Sequence, residues 1–118
     1  IKLMAPVFIT NIVLYTGTDF AQSFVLEDYR SNSVLDLTGY TGKGQLKKYA
    51  SESKAGEFSF TLANDPKTGR FTIEMLSGVT STLKPGSYMY DILIKDPSGT
   101  VIRAVEGTAL VKKSVTKL

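Results

Sequence analysis

The side chains best placed to do chemistry are carboxylates. Glu27, Asp28, Asp36 and Asp91 are the candidates for glycoside hydrolysis, which uses two acids about 5–10 Å apart across a cleft. Each stands at a strand end or an outward position of the pattern below, where a carboxylate is ordinarily solvated. The chain has neither histidine nor cysteine, which removes most nucleophilic triads, thiolate nucleophiles and transition-metal sites. Gly39–Gln45, GYTGKGQ, shares glycines and a lysine with a phosphate-binding loop. That loop is G-x-x-x-x-G-K-[ST] opening a helix. Here Gly44 follows Lys43, residue 37 is leucine, and a strand follows, so the match fails. Asn64-Asp65 and Asp96 lack the acidic series of a calcium loop and read as turns. No catalytic, cofactor-binding or metal-binding residue is assigned, no cofactor is expected, and the chain reads as a non-enzyme.

Composition narrows the partners. At 118 residues the chain is expected to form one domain over 1–118, long enough to bury roughly two-thirds of its unfolded surface. Apolar residues at 42 % and charged residues at 21 % are ordinary for a globular protein, which argues against disorder. The 14 basic and 11 acidic residues leave a net charge of +3. The lysines are scattered, with weak clusters at Lys47-Lys48 and Lys112-Lys113, so they read as a solvated surface and not a nucleic-acid footprint. The absence of cysteine fits folding in a reducing cytoplasm. The apolar segment Ala5–Tyr15 is short and interrupted by Thr10 and Asn11, too brief to span a bilayer, and no membrane partner is expected. A lone Lys2 and the lack of a small-residue cleavage site argue against a signal peptide. Met4 reads as a natural start, with Ile1-Lys2-Leu3 upstream of it.

The elements that must position these residues have a period of two. The apolar runs are Val7–Tyr15, Phe20–Asp28, Lys43–Ala50, Glu57–Ala63, Arg70–Met75, Tyr88–Lys95 and Thr100–Lys112. Phe58, Phe60 and Leu62 alternate with Glu57, Ser59 and Thr61; Phe71, Ile73 and Met75 share another core face. Leu46 is the clearest core candidate of the third run. Tyr29–Ser33, Ser51–Gly56, Asn64–Gly69 and Asp96–Gly99 are turns or loops, and Ser77–Leu83 has room for one helical turn capped by Ser77. In the last run the phase is ambiguous around Arg103–Gly107, and a bulge at Gly107 would reconcile Val101 with Leu110. Seven half-buried strands need a second sheet to cover their apolar faces. The expected fold is therefore all-β: an immunoglobulin/fibronectin-III-like two-sheet sandwich of about seven antiparallel strands, with a small closed barrel as the alternative.

One junction makes this expectation specific. In TLKPGSYMYDI (Thr82–Ile92), Leu83 can plug the end of the core, and Pro85-Gly86 turns the chain. Tyr88 then begins the strand on the inward face, as a tyrosine corner whose hydroxyl returns to backbone just upstream. Tyr90, two residues on, points the same way and is expected to be largely buried.

Several segments together carry a family resemblance. They are FVLED (24–28), VLDLTGYTGKGQLKK (34–48), FTLANDPKTGRFTIEM (60–75), TSTLKPGSYMYDILIKDPSGTVIRAVEGTALV (80–111) and a final VT. In this order they resemble small tailed-phage and prophage virion-associated Ig-like proteins, and are similar to the N-terminal domain of phage baseplate upper proteins. The resemblance covers roughly residues 20–116. It implies a virion structural protein, tail- or baseplate-associated, that works by packing, with no catalytic residues to carry over. Its partners would be other phage structural proteins, self-association included, and its location the virion, assembled in the bacterial host cytoplasm. Asp36-Leu37-Thr38-Gly39 matches the family's turn: Asp36 can bond backbone ahead of it and Gly39 permits a positive φ. The alternative function is an Ig-like module recognising a host-surface glycan or protein through its loops, a glycan having no direct support in the sequence. A module of a larger bacterial surface protein ranks third.

Overall fold

The computed structural model describes residues 8–28, 33–49 and 53–118. Its strands are β1 (Phe8–Ile9), β2 (Ile12–Tyr15), β3 (Phe20–Val25), β4 (Glu27–Asp28), β5 (Ser33–Val34), β6 (Thr41–Lys47), β7 (Gly56–Leu62), β8 (Arg70–Met75), β9 (Gly86–Lys95) and β10 (Val101–Lys112). A single helical turn, α1 (Ser77–Thr80), follows β8, and a 3-10 turn spans Pro66–Thr68.

The alternating runs pair so that one strand serves two sheets. In the larger sheet β9 lies between β10 and β6, and β1 and β2 add to the far edge of β10. The start of β7 pairs with β6, Gly44 opposite Phe58 and Leu46 opposite Gly56. The rest of β7 pairs with β8, from Ser59 opposite Glu74 to Leu62 opposite Phe71, and β8 pairs with β3. Among the described residues no pairing closes β3 onto β1 or β2. The protein is an immunoglobulin/fibronectin-III-like sandwich joined along β7, open on the opposite side.

Its core follows the alternation. Leu46, Phe58, Phe71, Ile73, Ile92 and Ile94 are fully or almost fully buried between the sheets. The rings of Phe24 and Phe60 stack on Phe71 at 5.4 and 5.0 Å between centroids, and Phe58 meets Tyr90 edge-on at 6.1 Å. Such aromatic pairs contribute about 0.5–1.5 kcal/mol each beyond their burial. The glycines of GYTGKGQ are explained here. Gly42 and Gly44 stand on the inner face of β6, where a Cβ would lie 2.6 Å from the Phe60 ring and 2.3 Å from Ile92 Cδ1. They make room for core side chains.

Four expectations are corrected. The strands are not all antiparallel: β1 and β2 pair in parallel with β10, because the first run enters the sheet beside the last strand and follows its direction. That run also breaks at Thr10-Asn11, where the chain stays beside β10 in unchanged register and the Thr10 carbonyl leans in over Gly107. The bulge of β10 lies between Arg103 and Val105, so that Ala104 and Val105 are both buried. Val101 and Leu110 do come to share one phase, the outer one. Finally, Ser77 is not a helix cap: Leu76 holds that position without a side-chain bond, and Asp19 accepts the Ser77 N–H at 2.7 Å. Ile1–Met4, most of Tyr29–Ser33 and residues 50–52 lie outside the described residues.

Candidate functional site: the outer face of the larger sheet

The seven residues singled out in the sequence belong to the scaffold. The Tyr88 hydroxyl donates to the Lys84 carbonyl at 2.6 Å, and Leu83 is buried beneath this corner. Pro85 stays exposed on the turn, Gly86 opens β9, and Lys48 Nζ lies 5.1 Å from the Tyr88 ring centroid and bonds the Ser87 carbonyl. Tyr90 is buried, and its hydroxyl donates to the Thr10 carbonyl at 2.7 Å. Burial pushes its pKa up to about 12. At the other end of the sandwich, Asp36 Oδ1 accepts both the Thr38 hydroxyl at 2.6 Å and the Thr38 N–H at 3.0 Å. These bonds hold the Asp36 carboxyl below the usual carboxylate range. Gly39 has φ +79°, and a Cβ there would meet Pro97 Cγ at 2.8 Å, so this turn packs on the Asp96–Gly99 turn.

The residues left over by this scaffold converge on the outward positions of β6, β9 and β10. Register fixes the rows. Lys47, Met89 and Thr108 stand side by side; next come Gln45, Asp91 and Glu106, with Ile9 beyond; then Lys43, Leu93 and Arg103. Arg103 bridges two rows, its Nε 3.3 Å from Asp91 and its Nη1 3.7 Å from Glu106. Glu57 is held by Lys43 at 3.4 Å and by Lys54, and the Lys54 bond leads in drawing the Glu57 carboxyl below its usual range. Exposed pairs of this kind stabilise a fold by only about 0–1 kcal/mol, but they fix the pattern of charge.

Between the charges lies uncovered apolar surface. Met89 is 46 % exposed and Leu93 39 %, with Asp91 between them on β9, and Ile9 and Val13 extend the strip over β1 and β2. An open groove of about 630 Å³ follows it, lined by Ile9, Gln45, Met89, Asp91, Leu93 and Arg103 among others. Its chemistry is that of an interface: apolar contacts for packing, and flanking charges that set orientation. Among the described residues no three acidic side chains gather as a metal-binding group. Of the hydrolytic carboxylates, Asp36 is occupied by Thr38 and Asp91 by Arg103, on different parts of the molecule.

Sequence reading placed Asp91 and Lys95 outward but passed over Met89 and Leu93, which share their phase. Two large apolar residues at outward positions of a strand that already carries a tyrosine-lined core face were the available signal.

No protein-family model matches the sequence, and no curated protein does. Among solved structures the chain is similar to CopC from Methylosinus trichosporium OB3b, at 9 % identity and a TM-score of 0.50. The match covers 91 % of this chain and 90 % of that one. The likeness is one of fold and supports the β-sandwich.

Proposed function

We propose that this protein is a non-enzymatic assembly module of a tailed-phage particle, tail- or baseplate-associated, which packs through the outer face of β6, β9 and β10 against other structural proteins. The observation that carries the reading is the strip from Ile9 and Val13 to Met89 and Leu93, uncovered by the protein's own chain among the described residues and edged by ion pairs. The segmental resemblance to virion-associated Ig-like proteins supplies the class of particle, and folding in the host cytoplasm before incorporation accords with a chain lacking cysteine.

The test is incorporation into particles. Mass spectrometry of purified virions finds the protein, and a Met89→Lys/Leu93→Lys variant is made and folds but is lost from them. Retention of that variant at wild-type level rejects the face, and a protein absent from particles that gives a reproducible glycan-array signal rejects the assembly reading.

A further inference from the structure

The smaller sheet ends in a strand without the usual protection. Natural edge strands are blunted by charge, proline, a bulge or brevity. The opposite edge of the sandwich is interrupted at Thr10-Asn11, where the Thr10 carbonyl leans in over Gly107. By contrast β3, Phe-Ala-Gln-Ser-Phe-Val, runs six residues in unbroken register with β8 and contains no charge and no proline. Ala21, Gln22, Ser23 and Val25 are all exposed.

Its backbone polarity can be assigned. The Leu26 N–H donates to the Gly69 carbonyl at 2.9 Å, on the side of β8. Hydrogen-bonding groups alternate sides along a strand, so Phe20, Gln22 and Phe24 also bond toward β8. The N–H and C=O groups of Ala21, Ser23 and Val25 point away from it. No strand among the described residues meets them.

We infer that this edge binds the β3 strand of a second copy, antiparallel about a two-fold axis. The inference rests on the assembly reading and names its self-association surface. Outward-facing groups must meet their own kind, which leaves two registers of equal overlap. One centres on Ser23 and sets Asp19 opposite the other copy's Glu27, a like-charge pair. The other centres on Gln22, sets Asp19 opposite Val25 and Ala21 opposite Ser23, and brings half-buried Phe20 against Phe24 across the axis. Charge and aromatic pairing both select the second. The result is one continuous sheet, β7-β8-β3 of one copy joined to β3-β8-β7 of the next, with the outer face of the larger sheet left free for other partners.

Paired substitutions at exposed positions test it by static light scattering and by analytical ultracentrifugation of the whole chain. Wild type dimerises, and Ala21→Lys/Ser23→Lys raises the dimer dissociation constant about tenfold or more by opposing lysines twice per interface. Ala21→Lys/Ser23→Glu, which opposes lysine to glutamate only in the Gln22-centred register, restores the dimer and controls for folding of the doubly substituted strand. A wild type still monomeric at millimolar concentration, or a dilysine variant that dimerises like wild type, overturns the inference. So does failure of the lysine–glutamate variant to restore pairing. A dimer lost on Met89→Lys/Leu93→Lys but kept in the dilysine variant also overturns it, while leaving the assembly reading standing.

Discussion

The Tyr90 hydroxyl donates to the Thr10 carbonyl across 80 residues of chain, and Gly107, opposite Tyr90 in the sheet, leaves the space in which that carbonyl sits. The Asn11 side chain completes this junction by accepting the Thr108 N–H at 3.1 Å. Three residues far apart in sequence thus fix the point where the first strand passes from β1 to β2.

The tyrosine gives this junction a pH dependence. Burial raises the folded-state value to about 12 from an ordinary 10.0. The unfolded chain therefore loses the proton first. The stabilising contribution is fully present below pH 10 and is lost as pH rises toward 12. Unfolding free energies measured from pH 9 to 12 should fall more steeply for wild type than for Tyr90→Phe, and equal slopes would refute the assignment.

Gly107→Ala tests the junction sterically. The added methyl would lie 1.9 Å from the Thr10 oxygen, a backbone atom that cannot rotate away. A loss of about 3 kcal/mol is expected in denaturant titrations, with faster hydrogen exchange concentrated in β1 and β2. An unchanged midpoint would mean that the Thr10 carbonyl does not pack on Gly107.

At the corner, Tyr88→Phe removes the donor to Lys84 while keeping the ring in the core. The expected cost is about 1 kcal/mol, the net value of one such hydrogen bond. A variant that melts like wild type would take away the corner's energetic role.

Thr80 is the buried polar side chain that ties α1 to the β2–β3 turn. Its hydroxyl accepts the Gly17 N–H at 3.1 Å and donates to the Thr18 carbonyl at 2.8 Å. Thr80→Val leaves both groups without this partner and should cost about 1–3 kcal/mol, whereas Thr80→Ser should recover most of the loss. Thermal melts of the two variants give the comparison.

What the sequence made legible was what depends on near neighbours. Alternation in Phe58–Leu62 and Phe71–Met75 gave the core faces, and LKPGSY gave the corner, because a tyrosine reaching back four residues needs only local chain. Tyr90's burial was legible for the same reason, but its Thr10 partner was not, since strand phase says nothing about which distant segment passes overhead. The broken phase of Arg103–Gly107 signals a bulge in the last strand, but residue type favours Gly107, whereas the bulge falls at Ala104, where two successive small or β-branched residues turn inward together. Asp19 displaced Ser77 as acceptor at α1 through a contact spanning 58 residues. The candidate interface was half legible, since Met89 and Leu93 announce themselves by phase, whereas the Arg103 bridge needs the register of two strands.

The parallel pairing of β2 with β10 has a mechanical consequence. Tension entering the chain before β1 and leaving after β10 reaches this ladder at Ile12 and at Lys112, its opposite ends. The four residue pairs from Ile12–Ala109 to Tyr15–Lys112 are then loaded together, along the strands, instead of peeling one after another. Ser114, whose hydroxyl donates to the Thr16 carbonyl at 2.6 Å, lengthens the same seam. A force pulling on the two ends must slide the first strand past the last before the core between the sheets is exposed.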